Sequence, residues 1–166
     1  MRARVTPTPL NRKAADHGQT VRLDLASRLD LLEVVQTIVH HVAGLSGFDE
    51  EQAHYVSVAV RESVVNAIKH GNAMDPARRV AVAFTIGPEA LEVEVRDQGS
   101  GFDPGSVPDP LAPENLLKAC GRGIFFMRQF MDEVAYQFPA RGGTIVRMRK
   151  QRPSGEGAGT EAASEA

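Results

Sequence analysis

Three short groups of polar residues and glycines in this 166-residue sequence have the types and spacing that acid–base or ligand-binding chemistry requires. In the first, Glu62, Asn66 and His70 are spaced four residues apart, so on a helix they form one narrow polar stripe. The positions around this stripe are mostly apolar, as in a buried helix, where an unpaired carboxylate is costly. The stripe is a candidate chemical site. The alternatives are that it is simply the solvent face, or that Glu62 pairs with Lys69 or Arg61.

The second group is DQGSGF at 97–102, which directly follows an alternating strand pattern at 90–96. Gly99 and Gly101 would let the backbone approach a ligand closely, and the carboxylate of Asp97 can accept a hydrogen bond from an amino group. An ordinary Asp/Gly turn is the alternative. The segment is not a dinucleotide-binding fingerprint, because a proline-rich loop follows the glycines where that motif requires a helix.

The third group is Gly121, Arg122 and Gly123, which begin a predicted helix after the proline-rich loop. Free N–H groups at the start of a helix, the positive end of its dipole and a guanidinium together form an anion site. A plain transition from loop to helix has the same pattern, so this group is not diagnostic by itself.

The elements that must position these groups follow from hydrophobic periodicity. The predicted strands cover 20–25, 79–86, 90–96, 133–138 and 144–150, and the predicted helices cover 27–42, 49–69 and 121–131. Ser27, with Asp30 three residues later, is close to a capping box and predicts the start of the first helix. Because the strands are grouped in hairpins, we expect an α+β fold: a two-layer α/β sandwich, with a mostly antiparallel sheet and helices on one face.

Composition restricts the classes of function. Nineteen basic and twenty-one acidic residues give a net charge of −2, which does not favour direct binding of nucleic acid or of an anionic membrane. A single cysteine excludes an internal disulfide framework, and no apolar run reaches the roughly 20 residues that cross a bilayer. We expect a flexible N-terminal tail at 1–18, one domain at 19–151, a disordered C-terminal tail at 152–166, and a cytoplasmic location.

Taken together, RESVVNAIKHGN (61–72), DQGSGF (97–102) and GRGI (121–124) resemble the N, G1 and G2 boxes of the GHKL ATPase superfamily, which has the Bergerat ATP-binding fold. The predicted order of elements agrees with that fold, and the resemblance covers about 20–150. Within the superfamily, the chain is similar to the anti-sigma-factor serine-protein kinases of bacterial partner-switching systems. This narrower likeness rests on GRGIFFMRQFMDEV (121–134) and GGTIVRMRK (142–150).

The resemblance implies ATP and Mg²⁺ as cofactors and a role for each group. Asn66 would supply an oxygen to Mg²⁺, and Glu62, one turn earlier, would be the catalytic base acting on the attacking hydroxyl or water. Asp97 would accept a hydrogen bond from the adenine amino group, and 103–120 would form the ATP lid. The remaining ATP contacts would come from Gly99, Gly101 and Thr144 on the adenine side and from Lys69, Gly121, Arg122 and Gly123 on the phosphate side.

The resemblance also implies a function: transfer of the ATP γ-phosphate to a serine or threonine of a STAS-domain antagonist, by an anti-sigma factor that binds a sigma factor and forms a homodimer. The alternative is a non-enzymatic ATP-binding switch that sequesters a sigma factor or another regulatory partner. Glu62 favours the enzyme, because a binding module has no need of a carboxylate there. A detached sensor histidine kinase domain is disfavoured, since His40 and His41 lie in the first predicted helix of the domain itself.

Overall fold

The computed structural model describes residues 18–100 and 122–153 of the chain. Its strands are β1 (Gln19–Ala26), β2 (Arg79–Ile86), β3 (Ala90–Arg96), β4 (Glu133–Gln137) and β5 (Ile145–Gln151). Its α-helices are α1 (Leu32–Leu45), α2 (Glu50–Asn66) and α3 (Arg122–Phe130). Of the predicted tails at 1–18 and 152–166, residues 1–17 and 154–166 lie outside the described residues, as does the predicted lid at 103–120.

The five strands form one antiparallel sheet in the order β1-β2-β3-β5-β4. Its register aligns one apolar row across all five strands: Val21, Phe84, Val93, Met148 and Val134. Because side chains alternate along a strand, this row lies on one face and the polar positions lie on the other. All three helices contribute to the same core as this row, so they cover that one face. The predicted two-layer α+β sandwich is confirmed.

Helix α2 is the central helix of the domain, since it packs against both α1 and α3. It begins with a complete capping box, in which Asp49 accepts a hydrogen bond from the Gln52 N–H at 2.7 Å and Gln52 accepts one from the Asp49 N–H at 3.3 Å. Val56, Val60 and Val64 are fully buried along its length. The capped start and the buried face fix the position of this helix, and therefore of the polar stripe that it carries.

The predicted start of the first helix at Ser27 is wrong. A 3₁₀ turn at Leu29–Leu31 precedes α1, and it has no side-chain cap. The Ser27 side chain is buried instead, and its hydroxyl donates a hydrogen bond to the backbone carbonyl of Arg78 at 2.9 Å. Ser27 therefore bonds to a residue 51 positions away in the sequence and does not cap the helix beside it. A capping-box pattern is local, so it could not indicate this distant partner.

Arg152, which the sequence analysis placed at the start of the C-terminal tail, is attached to the folded domain. Its guanidinium donates to the carbonyl of Ser46, just after α1, at 2.7 Å and to that of Gly87, in the β2–β3 hairpin, at 3.0 Å. Its backbone N–H donates to the carbonyl of Glu89 at 2.8 Å. These bonds join α1, the hairpin and the end of β5.

Candidate functional site

Glu62 and Asn66 both lie directly beneath the first turn of α3. A Cβ atom placed on Gly123 would lie 2.8 Å from Glu62 Oε2 and 3.4 Å from Asn66 Nδ2. Gly123 is buried, whereas Glu62 and Asn66 are half-buried and keep part of their surface open to a ligand. The structure therefore brings the first and third sequence groups together, and the absence of a side chain at Gly123 permits this close approach.

The alternative that Glu62 is occupied by an ion pair receives little support. Its carboxylate lies 3.5 Å from Arg61 Nη1, and the Arg61 side chain is 45% exposed. An ion pair at such a distance in solvent contributes little to stability. The half-buried carboxylate therefore keeps an oxygen available for a hydroxyl or a water molecule.

Asp97 is held at the end of β3 by the backbone around it. Its Oδ1 accepts hydrogen bonds from the N–H of Gly99 at 2.9 Å and from the N–H of Thr144 at 3.0 Å, and its own N–H donates to the Thr144 carbonyl at 3.1 Å. The residue is only 5% exposed. Within the described residues, both hydrogen bonds to this carboxylate go to Oδ1, so Oδ2 is the oxygen available to a ligand.

Three glycines allow backbone segments to crowd around Asp97. A Cβ on Gly71 would overlap the Asp97 carboxylate, and a Cβ on Gly99 would overlap the carbonyl of Gly71. Gly143 has φ +84°, a left-handed conformation that favours glycine, and its N–H donates to the Gly99 carbonyl at 2.6 Å. Gly99 was among the predicted site residues, whereas Gly71 and Gly143 were not.

Replacing Gly71 with alanine should therefore destabilise the domain. We expect the free energy of unfolding to fall by about 1–3 kcal/mol, because the new methyl group must displace Asp97 in a packed region. Gly44→Ala is the matched control, since a Cβ at that exposed position in α1 meets nothing within 4 Å and alanine favours the helix. Urea unfolding of the wild type and both variants checks the prediction. A free energy of unfolding for Gly71→Ala equal to that of the wild type would contradict it.

The polar stripe of α2 does not continue as a regular α-helix beyond Asn66. Ala67–Gly71 form one π-helical turn, a feature that often marks functional sites. Lys69 and His70 lie in this turn and are exposed, and in the described part of the chain neither makes a hydrogen bond or an ion pair to Glu62 or Asn66. A contact from Lys69 to a phosphate stays a prediction.

Several of the predicted site residues fall beyond what the structure describes. Gly101 and Gly121 lie outside the described residues, and Arg122 begins α3 without a described side chain. Thr144 is buried next to Asp97, as the predicted adenine side requires, but the hydrogen bond that it makes to Asp97 comes from its backbone N–H.

The residues in place fit ATP with Mg²⁺. At one end, Asp97 offers a buried acceptor for an amino group. At the other, Glu62 and Asn66 offer oxygens, the ligand type that Mg²⁺ prefers. No group of three or more His, Cys, Asp or Glu within 18–100 and 122–153 could hold a metal by itself.

The domain is thus a five-stranded antiparallel sheet covered on one face by helices, and the π-helical turn joins the Glu62 and Asn66 end of the site to the Asp97 end. A family model described as "Histidine kinase-like ATPase domain" matches residues 25–150. The chain therefore belongs to this family, and the resemblance inferred from the three boxes is confirmed. None of the helices in the described ranges is long and apolar enough to cross a membrane.

The chain is similar to curated serine-protein kinases. The serine-protein kinase RsbW of Bacillus licheniformis is 27% identical over 145 residues, which is 84% of this chain and 88% of the relative. RsbW of Bacillus subtilis (strain 168) is 26% identical over 141 residues, which is 81% of this chain and 87% of the relative.

One solved structure, that of the RsbU and RsbW domains of Rv1364c from Mycobacterium tuberculosis, matches with a TM-score of 0.58 at 18% identity. The match covers 82% of this chain and 33% of that chain, so this chain spans about a third of the length of that protein. At this identity, the likeness supports the fold alone.

Proposed function

We propose that the protein is an ATP-dependent serine/threonine-protein kinase that acts as an anti-sigma factor and phosphorylates a STAS-domain antagonist. The observation that carries this proposal is the position of Glu62 beside Asn66 under the first turn of α3. A protein that only binds ATP has no need of a base next to the residue that holds the metal. The relatives named serine-protein kinases, which match over most of both chains, support the same activity.

Each described site residue then has a distinct task. Asn66 would hold Mg²⁺ through its amide oxygen, and Glu62 would accept the proton of the substrate hydroxyl. Oδ2 of Asp97 would accept a hydrogen bond from the adenine amino group. When bound, ATP would supply the phosphoryl group, and Mg²⁺ would neutralise part of the negative charge of the phosphates. The substrate is a serine or threonine of the antagonist, and a sigma factor as second partner would place the complex in the cytoplasm.

A phosphotransfer assay tests the proposal. The purified chain is incubated with Mg²⁺, ATP labelled at the γ-phosphate and the STAS-domain proteins of the same organism. We expect label on one of these proteins, and none when its acceptor serine or threonine is replaced by alanine. Binding of a partner in an ATP-dependent way without transfer would instead favour the non-enzymatic switch.

We also expect a homodimer, which the family resemblance implies. The outer side of α1 supports this, because Val34 and Leu45 are 49% and 68% exposed although the helix also buries an apolar row on its other side. Light scattering at micromolar concentration should give twice the chain mass of 17.9 kDa. A mass of 17.9 kDa both with and without nucleotide would contradict the prediction.

A further inference from the structure

Asn72 is a fully buried polar residue, directly after the π-helical turn, that uses both ends of its side-chain amide. Its Oδ1 accepts a hydrogen bond from the backbone N–H of Gln98 at 2.8 Å. Its Nδ2 donates to Ser27 Oγ at 2.7 Å and to the backbone carbonyl of Arg79 at 3.0 Å. One side chain thus joins the end of β1, the start of β2 and the segment that follows β3.

The partners of Asn72 are also bonded to each other. The side-chain oxygen of Gln98 accepts a hydrogen bond from the Arg79 N–H at 2.6 Å, and the Ser27 hydroxyl donates to the Arg78 carbonyl at 2.9 Å. Because the Gln98 N–H can only donate and the Arg79 carbonyl can only accept, the orientation of the Asn72 amide is fixed. A closed network of this kind, with the buried Asn72 at its centre, makes the local structure rigid.

This network reaches the Asp97 carboxylate through Gln98. Gln98 lies in the sequence between Asp97 and Gly99, whose N–H donates a hydrogen bond to that carboxylate. The Asp97 carboxylate is oriented by the N–H groups of Gly99 and Thr144, and Asn72 anchors the segment between Asp97 and Gly99 through the Gln98 N–H. Ala73 and Met74, directly after Asn72, both have left-handed backbones, with φ of 54° and 59°. Two consecutive strained residues of this kind persist only where surrounding contacts enforce them.

We propose that Asn72 is a positioning residue that holds the Asp97 segment in place and thereby determines the preference for adenine. The inference rests on the proposed function, in which Asp97 receives the adenine amino group. Asn72 does not touch the nucleotide in this scheme. It fixes the peptide at Gln98, and that peptide fixes the direction of the free oxygen of Asp97. The phosphate side, at Asn66 and Gly123, does not depend on it.

The test compares ATP with inosine triphosphate, which carries a carbonyl in place of the adenine amino group. Calorimetric titration with Mg²⁺, well below the unfolding temperature of each variant, gives both affinities. We expect the wild type to prefer ATP by about 10- to 100-fold, the value of one hydrogen bond to a charged acceptor. In Asn72→Ala the preference should fall below about 3-fold, through weaker ATP binding, with the affinity for inosine triphosphate little changed.

Ser27→Ala is the matched control. It removes a hydrogen bond from the same network on the side away from Gln98, so it should lower the unfolding temperature and keep the preference for ATP. If Asn72 has a merely structural role, Asn72→Ala should lower the affinities for ATP and for inosine triphosphate equally, and that result would overturn the inference. If Asn72→Ala fails to fold, Asn72→Ser replaces it in the same two titrations. The shorter serine side chain cannot make hydrogen bonds to both Gln98 and Arg79, so the same loss of preference is expected.

The adenine role of Asp97 and the positioning role of Asn72 can be refuted separately. If the wild type binds ATP and inosine triphosphate equally, the adenine role of Asp97 is wrong and the positioning role of Asn72 fails with it. If the wild type binds neither nucleotide, the proposed function itself is refuted. If the wild type prefers ATP and folded Asn72→Ala keeps that preference, the proposed function stands and the positioning role of Asn72 is refuted.

Discussion

Replacing Glu62 with glutamine is expected to slow phosphoryl transfer by about 10²- to 10⁴-fold, while the affinity for ATP stays within a few-fold of wild type. Glutamine has the same size, so it fits beneath Gly123, where the Glu62 carboxylate lies now. It cannot take the proton of the attacking hydroxyl. Because that proton moves in the transition state, the loss falls on the rate and not on nucleotide binding.

Single-turnover transfer and calorimetric ATP binding, measured on the same preparations, separate the two effects. Asn66→Ala should lose both transfer and affinity for Mg-ATP. Asn66 is proposed to hold Mg²⁺, and Mg²⁺ in turn holds the phosphates of the nucleotide. Glu50→Gln is the matched control, since it makes the same chemical change at an exposed position in the first turn of α2. Transfer at the wild-type rate by Glu62→Gln would show that the base is another residue.

The architecture could be predicted from the sequence because its signals are local. Strands β2 and β3 have the same bounds as predicted, 79–86 and 90–96, since alternating apolar residues on both sides of a Gly-Pro turn specify a hairpin. The stripe of Glu62 and Asn66 was visible for the same reason, because residues four apart share a helix face. The structure adds that Gly123 covers both residues.

The parts that the sequence analysis missed depend on partners far apart in the chain. Ser27 looked like a helix cap, but it bonds to Arg78 and receives a hydrogen bond from Asn72, which is 45 residues away. Asn72 lies just after the predicted helix at 49–69, and nothing near it indicates that it anchors Gln98. Gly71 likewise has no local signal for its close approach to Asp97. Local spacing reveals which side chains share a face, but it does not reveal what faces them.

Replacing Asp97 with asparagine should weaken ATP binding by about 10- to 100-fold and leave the fold intact, since the change removes one acceptor for a buried amino group. The side-chain oxygen of the amide should take the place of Oδ1, because its two partners there, the N–H groups of Gly99 and Thr144, can only donate. The NH₂ group then replaces Oδ2 and meets the adenine amino group donor to donor. Asp97→Ala should instead cost about 1–3 kcal/mol of stability, because it leaves both N–H groups without their acceptor.

Inosine triphosphate makes the Asp97→Asn prediction sharper. Its carbonyl can accept a hydrogen bond from the new NH₂ group, so the variant should lose its preference for ATP and bind inosine triphosphate at least as tightly. Calorimetric titration of both nucleotides with Mg²⁺, together with thermal unfolding of both Asp97 variants, measures the exchange. Equal ATP affinity in wild type and Asp97→Asn would mean that the adenine amino group has another acceptor. In that case, the hydrogen bonds of Oδ1 would make Asp97 a structural link between β3 and the start of β5.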